Sequence, residues 1–394
     1  MKQLHDIDVK NKRVLVRVDY NVPIINGKII DDFRIRASLK TILYLIAHEA
    51  KIIILSHFGR PDGAVKDDLR LGEVAITLER LLSEQLKRDY FVFKTESVID
   101  GDVKAMIKKI DPLKELVMIE NIRFEKGEEA NDPDFAMKLA SLGDIYVNDA
   151  FSASHRAHAS VDAITKFLPA VAGFSLVDEL SYLTKLLENP QRPFWLILGG
   201  KKVEDKIEMI ANLLGKIDGL IIGGAMSFPF LGNKKLPFVN QETIKIAQDI
   251  MNRAKESRVD IVLPKDFLST KEIKSGSPYS IQSAKNVVDF PADIGPESIE
   301  LFSQKLLDAK TIFWNGPMGV YEIDEFSAGT QGLAQSIIGL SATTVIGGGD
   351  TIAAVGHLGI RDKFSHVSLG GGATLEFLEG KSLPGLISLE KNYV

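Results

Sequence analysis

The chain has 394 residues, 45% hydrophobic and 26% charged, with a formal net charge of -5 at pH 7 and no cysteine. A chain this long points to two domains, each able to bury its own core. The acidic balance argues against nucleic-acid binding, and the missing cysteines exclude disulfides, thiolate metal sites and a cysteine nucleophile. The first eleven residues are polar, and the apolar stretch 41–55 is broken by His48, Glu49 and Lys51, so neither a signal core nor a membrane span is expected and the cytoplasm is the expected compartment.

Short apolar or β-branched runs alternate with helical patterns along the chain. A run at 14–18 is followed by Ile35, Leu39, Ile42, Leu43 and Ile46 at helical spacing, then by runs at 52–55, 116–119 and 145–147. Beyond Leu168-Pro169 a helical pattern carries Val177, Leu180, Leu183 and Leu187 until Asn189-Pro190 and Arg192-Pro193 stop it. Runs at 194–198, 220–222, 261–263, 311–314, 343–346 and 366–368 follow, with Val203, Ile207, Ile210, Ala211 and Leu214 repeating at helical spacing. Runs this short, with little alternation, read as strands buried on both faces, and their alternation with helices predicts βαβ units and parallel sheets. The helical pattern near 168–193 reads as a helix joining two domains.

Ligands in open α/β sheets bind beyond the carboxyl ends of the strands. In the first half those positions carry Asp19, Tyr20 and Asn21; Ser56, His57, Phe58, Gly59 and Arg60; Glu120, Asn121 and Arg123; and Asn148, Asp149 and His155-Arg156-Ala157-His158, while Arg34 opens the first helical pattern. A single arginine among these reads most simply as a surface ion pair. Arg34, Arg60, Arg123 and Arg156 together, with His57, read as an anion site, because the guanidinium fork matches phosphate and carboxylate oxygens. His155 and His158 stand three apart, but with no carboxylate motif beside them they read as structural or substrate-orienting, not as metal ligands.

In the second half the strand ends are glycine-rich: Gly199-Gly200-Lys201-Lys202, Gly223-Gly224, Asn315-Gly316-Pro317, Gly347-Gly348-Gly349-Asp350-Thr351 and Gly370-Gly371-Gly372-Ala373-Thr374. Each alone is compatible with a tight βα turn. Five together suit a polyphosphate approached by backbone amides. Asp350 fits either a helix N-cap or a carboxylate ligand to Mg²⁺. Standard signatures are missing: Leu375 stands where a P-loop before Gly380-Lys381-Ser382 needs its first glycine, no G-x-G-x-x-G follows a strand, and no protein-kinase set is present.

The segments 17–23, 56–61, 120–124, 148–151 with 155–158, 199–203 with 205–207, 314–317, 347–351 and 370–373, taken in order, resemble phosphoglycerate kinase over essentially the whole chain. The resemblance implies two Rossmann-like α/β domains with mainly parallel sheets, joined by a helix across a cleft. They would be an N-terminal phosphoglycerate-binding domain at 1–170, a linker helix at 171–189 and a C-terminal nucleotide-binding domain at 190–379, with 380–394 packing back on the first domain. It implies 3-phosphoglycerate or 1,3-bisphosphoglycerate on Asp19, Tyr20, Asn21, Arg34, His57, Phe58, Gly59, Arg60, Arg123 and Arg156. Mg²⁺ with ATP or ADP would lie on Lys202, Lys206, Gly295, Glu322, Gly348, Gly349, Asp350 and Thr351, with Asp350 on the metal. Hinge closure, a monomeric state and no nucleic-acid or membrane partner are implied as well. Lys201 departs from the alanine common in the family, and Ser152-Ala153-Ser154 differs in detail.

The expected reaction moves a phosphoryl group between a carboxylate and a diphosphate, both already anionic, so no general base is demanded. The task is to gather and neutralise charge, for which Arg34, Lys202 and the turn at Gly371 and Gly372 are the catalytic candidates. The rival readings are a non-catalytic binder of phosphometabolites and nucleotides on the same scaffold, and an NAD-dependent dehydrogenase.

Overall fold

A computed structural model describes residues 1–233, 236 and 239–392. The chain divides into two compact units, Met1–Leu180 together with the segment from Ser382 onward, and Ser181–Lys381.

The first unit contains strands β1 (Arg13–Arg17), β2 (Ile24–Ile25), β3 (Lys28–Ile29), β4 (Lys51–Leu55), β5 (Phe91–Lys94), β6 (Glu115–Met118), β7 (Ile145–Asn148) and β8 (Ala170–Ala172). Six of them form one sheet in the order β5-β6-β4-β1-β7-β8, with β2 and β3 a separate hairpin. Every pairing in the sheet is parallel, β1 lying in register with β4 from Arg13↔Lys51 to Arg17↔Leu55 and with β7 up to Arg17↔Asn148. Parallel strands need covered faces. One cover is the helix Leu39–Ala47, burying Leu39, Ile42, Leu45 and Ile46; another is the helix Gly72–Leu86, burying Val74, Leu78, Leu81 and Leu82.

The long helical pattern predicted after the first strand is two helices, Phe33–Ala37 and Leu39–Ala47, meeting at Ser38. The Ser38 hydroxyl bonds the Ile35 carbonyl at 2.8 Å, the local competition by which serine interrupts a helix. Strands β5 and β8 were not evident in the sequence. In β5 two exposed phenylalanines flank Val92, as suits an edge strand, and β8 is three small residues long. The segment from Ser382 packs on this unit: Gly385 N–H donates to the Ser154 carbonyl at 2.9 Å, and Asn392 Oδ1 accepts from Ala170 N–H at 3.0 Å. Residues 393 and 394 of the predicted returning tail lie outside the described residues.

The helix Phe174–Glu188 starts where Asp149 Oδ1 accepts from Ser175 and Leu176 N–H at 2.8 and 3.3 Å. It ends before Asn189-Pro190, and the division between the units falls inside it.

The second unit contains β9 (Phe194–Leu198), β10 (Gly219–Ile222), β11 (Asp260–Val262), β12 (Asp266–Thr270), β13 (Tyr279–Ser283), β14 (Phe290–Ile294), β15 (Thr311–Asn315), β16 (Thr343–Gly347) and β17 (His366–Ser368). Its main sheet runs β11-β10-β9-β15-β16-β17, all parallel. Ile197, Ile221, Phe302, Trp314, Leu333 and Ile346 are buried in its core. A three-stranded antiparallel sheet, β13-β12-β14, stands beside it. No continuous apolar run marks this sheet: β12 is largely polar though buried, β13 is mostly exposed, and β14 contains Pro291.

Candidate active site

All six strands of the first sheet are parallel, so the segments after β1, β4, β6 and β7 emerge at one edge. Arg34 pairs with Asp19, which also accepts from the Ser152 hydroxyl and, at 3.0 Å, from Asn21 N–H. Burial opposes ionisation of Asp19, yet the Arg34 charge and these hydrogen bonds prevail and hold its carboxyl down at about 2. Asn21 Oδ1 accepts from Gly59 N–H at 3.0 Å, and Arg123 Nη1 donates to the Gly59 carbonyl at 2.7 Å, so the loops after β1, β4 and β6 are stitched together. Arg123 is buried and pairs with Glu129 at 3.1 Å; burial lowers its pKa, and Arg17 and Arg156 add to that. Arg156 is exposed, its Nε donating to His155 Nε2 at 3.2 Å. Arg60 is exposed as well, and neither Arg60 nor Arg156 pairs with a carboxylate among the described residues.

Beneath this edge lies a buried polar layer. Arg17 is fully buried, donating from Nε to Ser160 Oγ at 2.9 Å and approaching His57 Nδ1 at 3.1 Å with Nη2. Ser160 in turn donates to Glu128, also fully buried, from its hydroxyl at 2.7 Å and its N–H at 2.9 Å. His158 sits nearby; burial, reinforced by Arg123 and Arg17, pushes its imidazole down to about 4.

Two residues of the implied set have core side chains at this edge. The Tyr20 side chain is fully buried and its hydroxyl lies 2.7 Å from Ser38 Oγ, so it props the first helix and has no surface for a ligand. Phe58 is likewise a core side chain; what it offers at the loop is backbone, its N–H and carbonyl both held by the Asn121 amide.

In the second unit the loops after β9, β10, β15 and β16 border a cavity of about 650 Å³, closed on another side by the antiparallel sheet. Its apolar wall includes Phe267, Ile273, Phe290, Met318 and Val320. Its polar lining includes Gly200, Lys201, Gly224, Glu322 and Asp350. An apolar chamber with a few polar groups at one end is the usual form of a nucleotide-sized site. Of the nucleotide set implied by the resemblance, Glu322 and Asp350 border this cavity. The other residues of that set do not line it. Lys202 is exposed, but it is Lys201 that lines the cavity. Lys206 is buried, donating to the Gly199 and Asn315 carbonyls at 2.8 and 3.1 Å, and burial lowers its pKa to about 8 against the pull of Asp205 and Asp350. Thr351 is fully buried, its Oγ1 accepting from Gly316 N–H at 2.6 Å, so its side chain ties two turns together and presents nothing outward. Gly348 and Gly349 begin the helix Gly349–His357, and Gly371 precedes the helix Gly372–Leu378. Gly295 caps the helix Pro296–Leu306 and is not part of the cavity wall; a Cβ there would meet the Asp266 carboxylate at 2.3 Å.

The buried layer Arg17–Ser160–Glu128 and the apolar wall escaped the sequence reading. The one usable signal for the first was an arginine embedded in an apolar strand, at Arg17. Phe267 and Phe290 of the wall come from a sheet whose strands lack a continuous apolar run.

Two Rossmann-like α/β domains, each with ligand-type loops at its carboxyl edge, define the structural class. A family model described as phosphoglycerate kinase matches residues 4–381. A phosphoglycerate kinase of Dictyoglomus turgidum is 49% identical, the match covering 98% of either chain, and one of Moorella thermoacetica is 45% identical with the same coverage. Among solved structures, phosphoglycerate kinase from Coxiella burnetii superposes with a TM-score of 0.84 at 36% identity, covering 99% of this chain and 98% of that one. This chain belongs to the phosphoglycerate kinase family and is an enzyme of that family.

Asp293, buried against the cavity, accepts from Gly329 and Ile294 N–H at 2.6 and 2.9 Å, yet burial raises its carboxyl to about 7. A carboxyl whose folded pKa is raised holds its proton longer in the folded state than in the unfolded chain, so its contribution to stability is full below about pH 4 and is lost as pH rises through about 7. The unfolding free energy from denaturant titration should therefore fall between about pH 5 and pH 7.5 by up to roughly 1.4 kcal/mol per pH unit for this group, and Asp293→Asn should flatten that part of the profile. An unchanged slope in Asp293→Asn would remove the assignment.

Proposed function

We propose that the chain catalyses reversible, magnesium-dependent transfer of the acyl phosphate of 1,3-bisphosphoglycerate to ADP, giving 3-phosphoglycerate and ATP. What supports this reading, within the family, is the cationic edge of the first sheet: Arg34, Arg60, Arg123 and Arg156 gather around one rim with His57 among them, and Arg60 and Arg156 are free of carboxylate partners among the described residues. Such a rim suits a small, multiply charged phosphate ester. The cavity of the second unit suits the nucleotide: its apolar wall takes the base, Glu322 accepts from ribose hydroxyls, and Gly200, Lys201 and Gly224 approach the phosphates.

The acceptor and leaving oxygens are both anionic, and this chain need only bind, align and neutralise. Arg34, held by Asp19, is the guanidinium assigned to the transferring group, with the turn at Gly371 and Gly372 and Lys202 as further donors. Among the described residues no three His, Asp or Glu side chains form a metal cage. The exposed carboxylate of Asp350 beside the cavity fits Mg²⁺, which is commonly held by one or two carboxylates and completed by water and phosphate oxygens. Bound there, Mg²⁺ supplies charge neutralisation on the nucleotide phosphates. A monomeric cytoplasmic enzyme acting without nucleic-acid or membrane partners completes the proposal; no helix among the described residues is long and apolar enough to cross a membrane.

A coupled assay with 3-phosphoglycerate, ATP and Mg²⁺ should show turnover, and its failure with active controls would defeat the reading. Arg34→Ala should lower kcat about 10²-fold or more while leaving nucleotide affinity nearly unchanged; steady-state kinetics showing normal kcat would take Arg34 out of the mechanism. Asp350→Ala should raise the Mg-nucleotide KM and cut turnover, and a parental Mg²⁺ titration curve would refute the metal assignment.

A further inference from the structure

Four buried side chains beneath the cationic edge form a chain of hydrogen bonds whose directions are fixed. Glu128 accepts twice from Ser160, from the N–H at 2.9 Å and from the hydroxyl at 2.7 Å. The Ser160 proton is thereby committed, and its oxygen accepts from Arg17 Nε at 2.9 Å. Arg17 Nη1 donates to the Val18 carbonyl, and Nη2 lies 3.1 Å from His57 Nδ1. A guanidinium has five donors and no acceptor, and it stays charged in proteins. His57 Nδ1 must therefore be the acceptor, and an imidazole accepting there is neutral with its proton on Nε2.

We propose that Glu128, Ser160 and Arg17 are positioning residues that lock His57 as the neutral Nε2–H tautomer, so that the ring presents an N–H donor to an oxygen of the anionic ligand. The functional half of this statement rests on reading the edge as the phosphoglycerate site. A neutral donor set among guanidinium groups adds a directional contact without adding another charge to neutralise or desolvate.

The surroundings agree. His57 is 7% exposed and faces Asp19, Arg17, Arg123 and Arg34. Burial holds its pKa well below the ordinary imidazole value, the three arginines push in the same direction, and Asp19 opposes them. Burial pushes the Glu128 carboxyl upward, while the Arg17 charge and the two Ser160 bonds favour its ionised, accepting form. The four residues come from the end of β1, the loop after β4, a short helix before residue 130 and the loop after β7, so the tautomer is set by tertiary contacts alone.

The test uses the full chain labelled with nitrogen-15 histidine. Long-range proton–nitrogen spectra between about pH 6 and pH 8 should show one ring, identified by its loss in His57→Gln, as neutral and protonated at Nε2. Ser160→Ala deprives Arg17 Nε of its acceptor; it should mix the two tautomers and weaken 3-phosphoglycerate binding about tenfold, with ADP binding unchanged. Ser160→Thr, which keeps the hydroxyl, should restore the parental spectrum. Where Ser160→Ala does not fold, Arg17→Lys, which keeps the charge but loses the fork, carries the same comparison. An imidazolium or an Nδ1–H ring in the parent protein at neutral pH overturns the proposal, as does an unchanged tautomer in a folded Ser160→Ala or Arg17→Lys protein. The spectrum reads the tautomer whether or not ligand binds, whereas titration of the parent protein with 3-phosphoglycerate reads the site assignment itself.

Discussion

Parallel pairing of β1 with β4 and β7 is the constraint on which the rest of the first unit depends. It brings Arg17, Leu55 and Asn148 to one level, so that three separate loops begin side by side. Backbone hydrogen bonding thereby does what no single segment can: residues more than a hundred positions apart meet without any one of them having to reach. Parallel order also requires both faces to be covered, which explains why these strands are short, apolar and nearly free of alternation. The loops are then cross-tied by side chains, with Asn21 and Arg123 both gripping Gly59.

Positive charge at that edge is opposed there by Asp19 and Glu129, and the layer below balances an arginine of its own. Arg17, buried without a bidentate carboxylate of its own, is satisfied by a serine, a carbonyl and an imidazole, and its charge is balanced through Ser160 by Glu128. A buried polar network of this kind is favourable only when every member is satisfied. On the proposed reading its reward is rigidity: Arg17 and His57, held in place beforehand, lose little freedom when the anion binds.

In the second unit closely packed turns border an apolar-walled cavity, an arrangement that on the proposed reading approaches phosphates with main chain while enclosing the base. Close approach of loops explains two of its glycines. A Cβ on Gly199 would meet the Pro317 carbonyl at 2.2 Å, and one on Gly316, at φ +102°, would meet the Gly199 carbonyl at 2.2 Å. Lys206 closes the same junction from below by donating to the carbonyls of Gly199 and Asn315. The antiparallel sheet then supplies the apolar wall opposite these turns.

Local pattern was enough to read the parallel strands, the helices between them and the residues just past each strand, because those depend on hydrophobic period and on glycine and proline at turns. The family followed from motifs at those same positions. Tertiary structure alone decided that Tyr20 and Thr351 face inward, that Lys201 and not Lys202 borders the cavity, that Lys206 is a loop tie, and that Arg17 reaches His57 through a layer closed by Glu128. These are questions of which atom a side chain meets across the fold, and a pattern along the chain carries the type of a residue but not the partner that packing assigns to it.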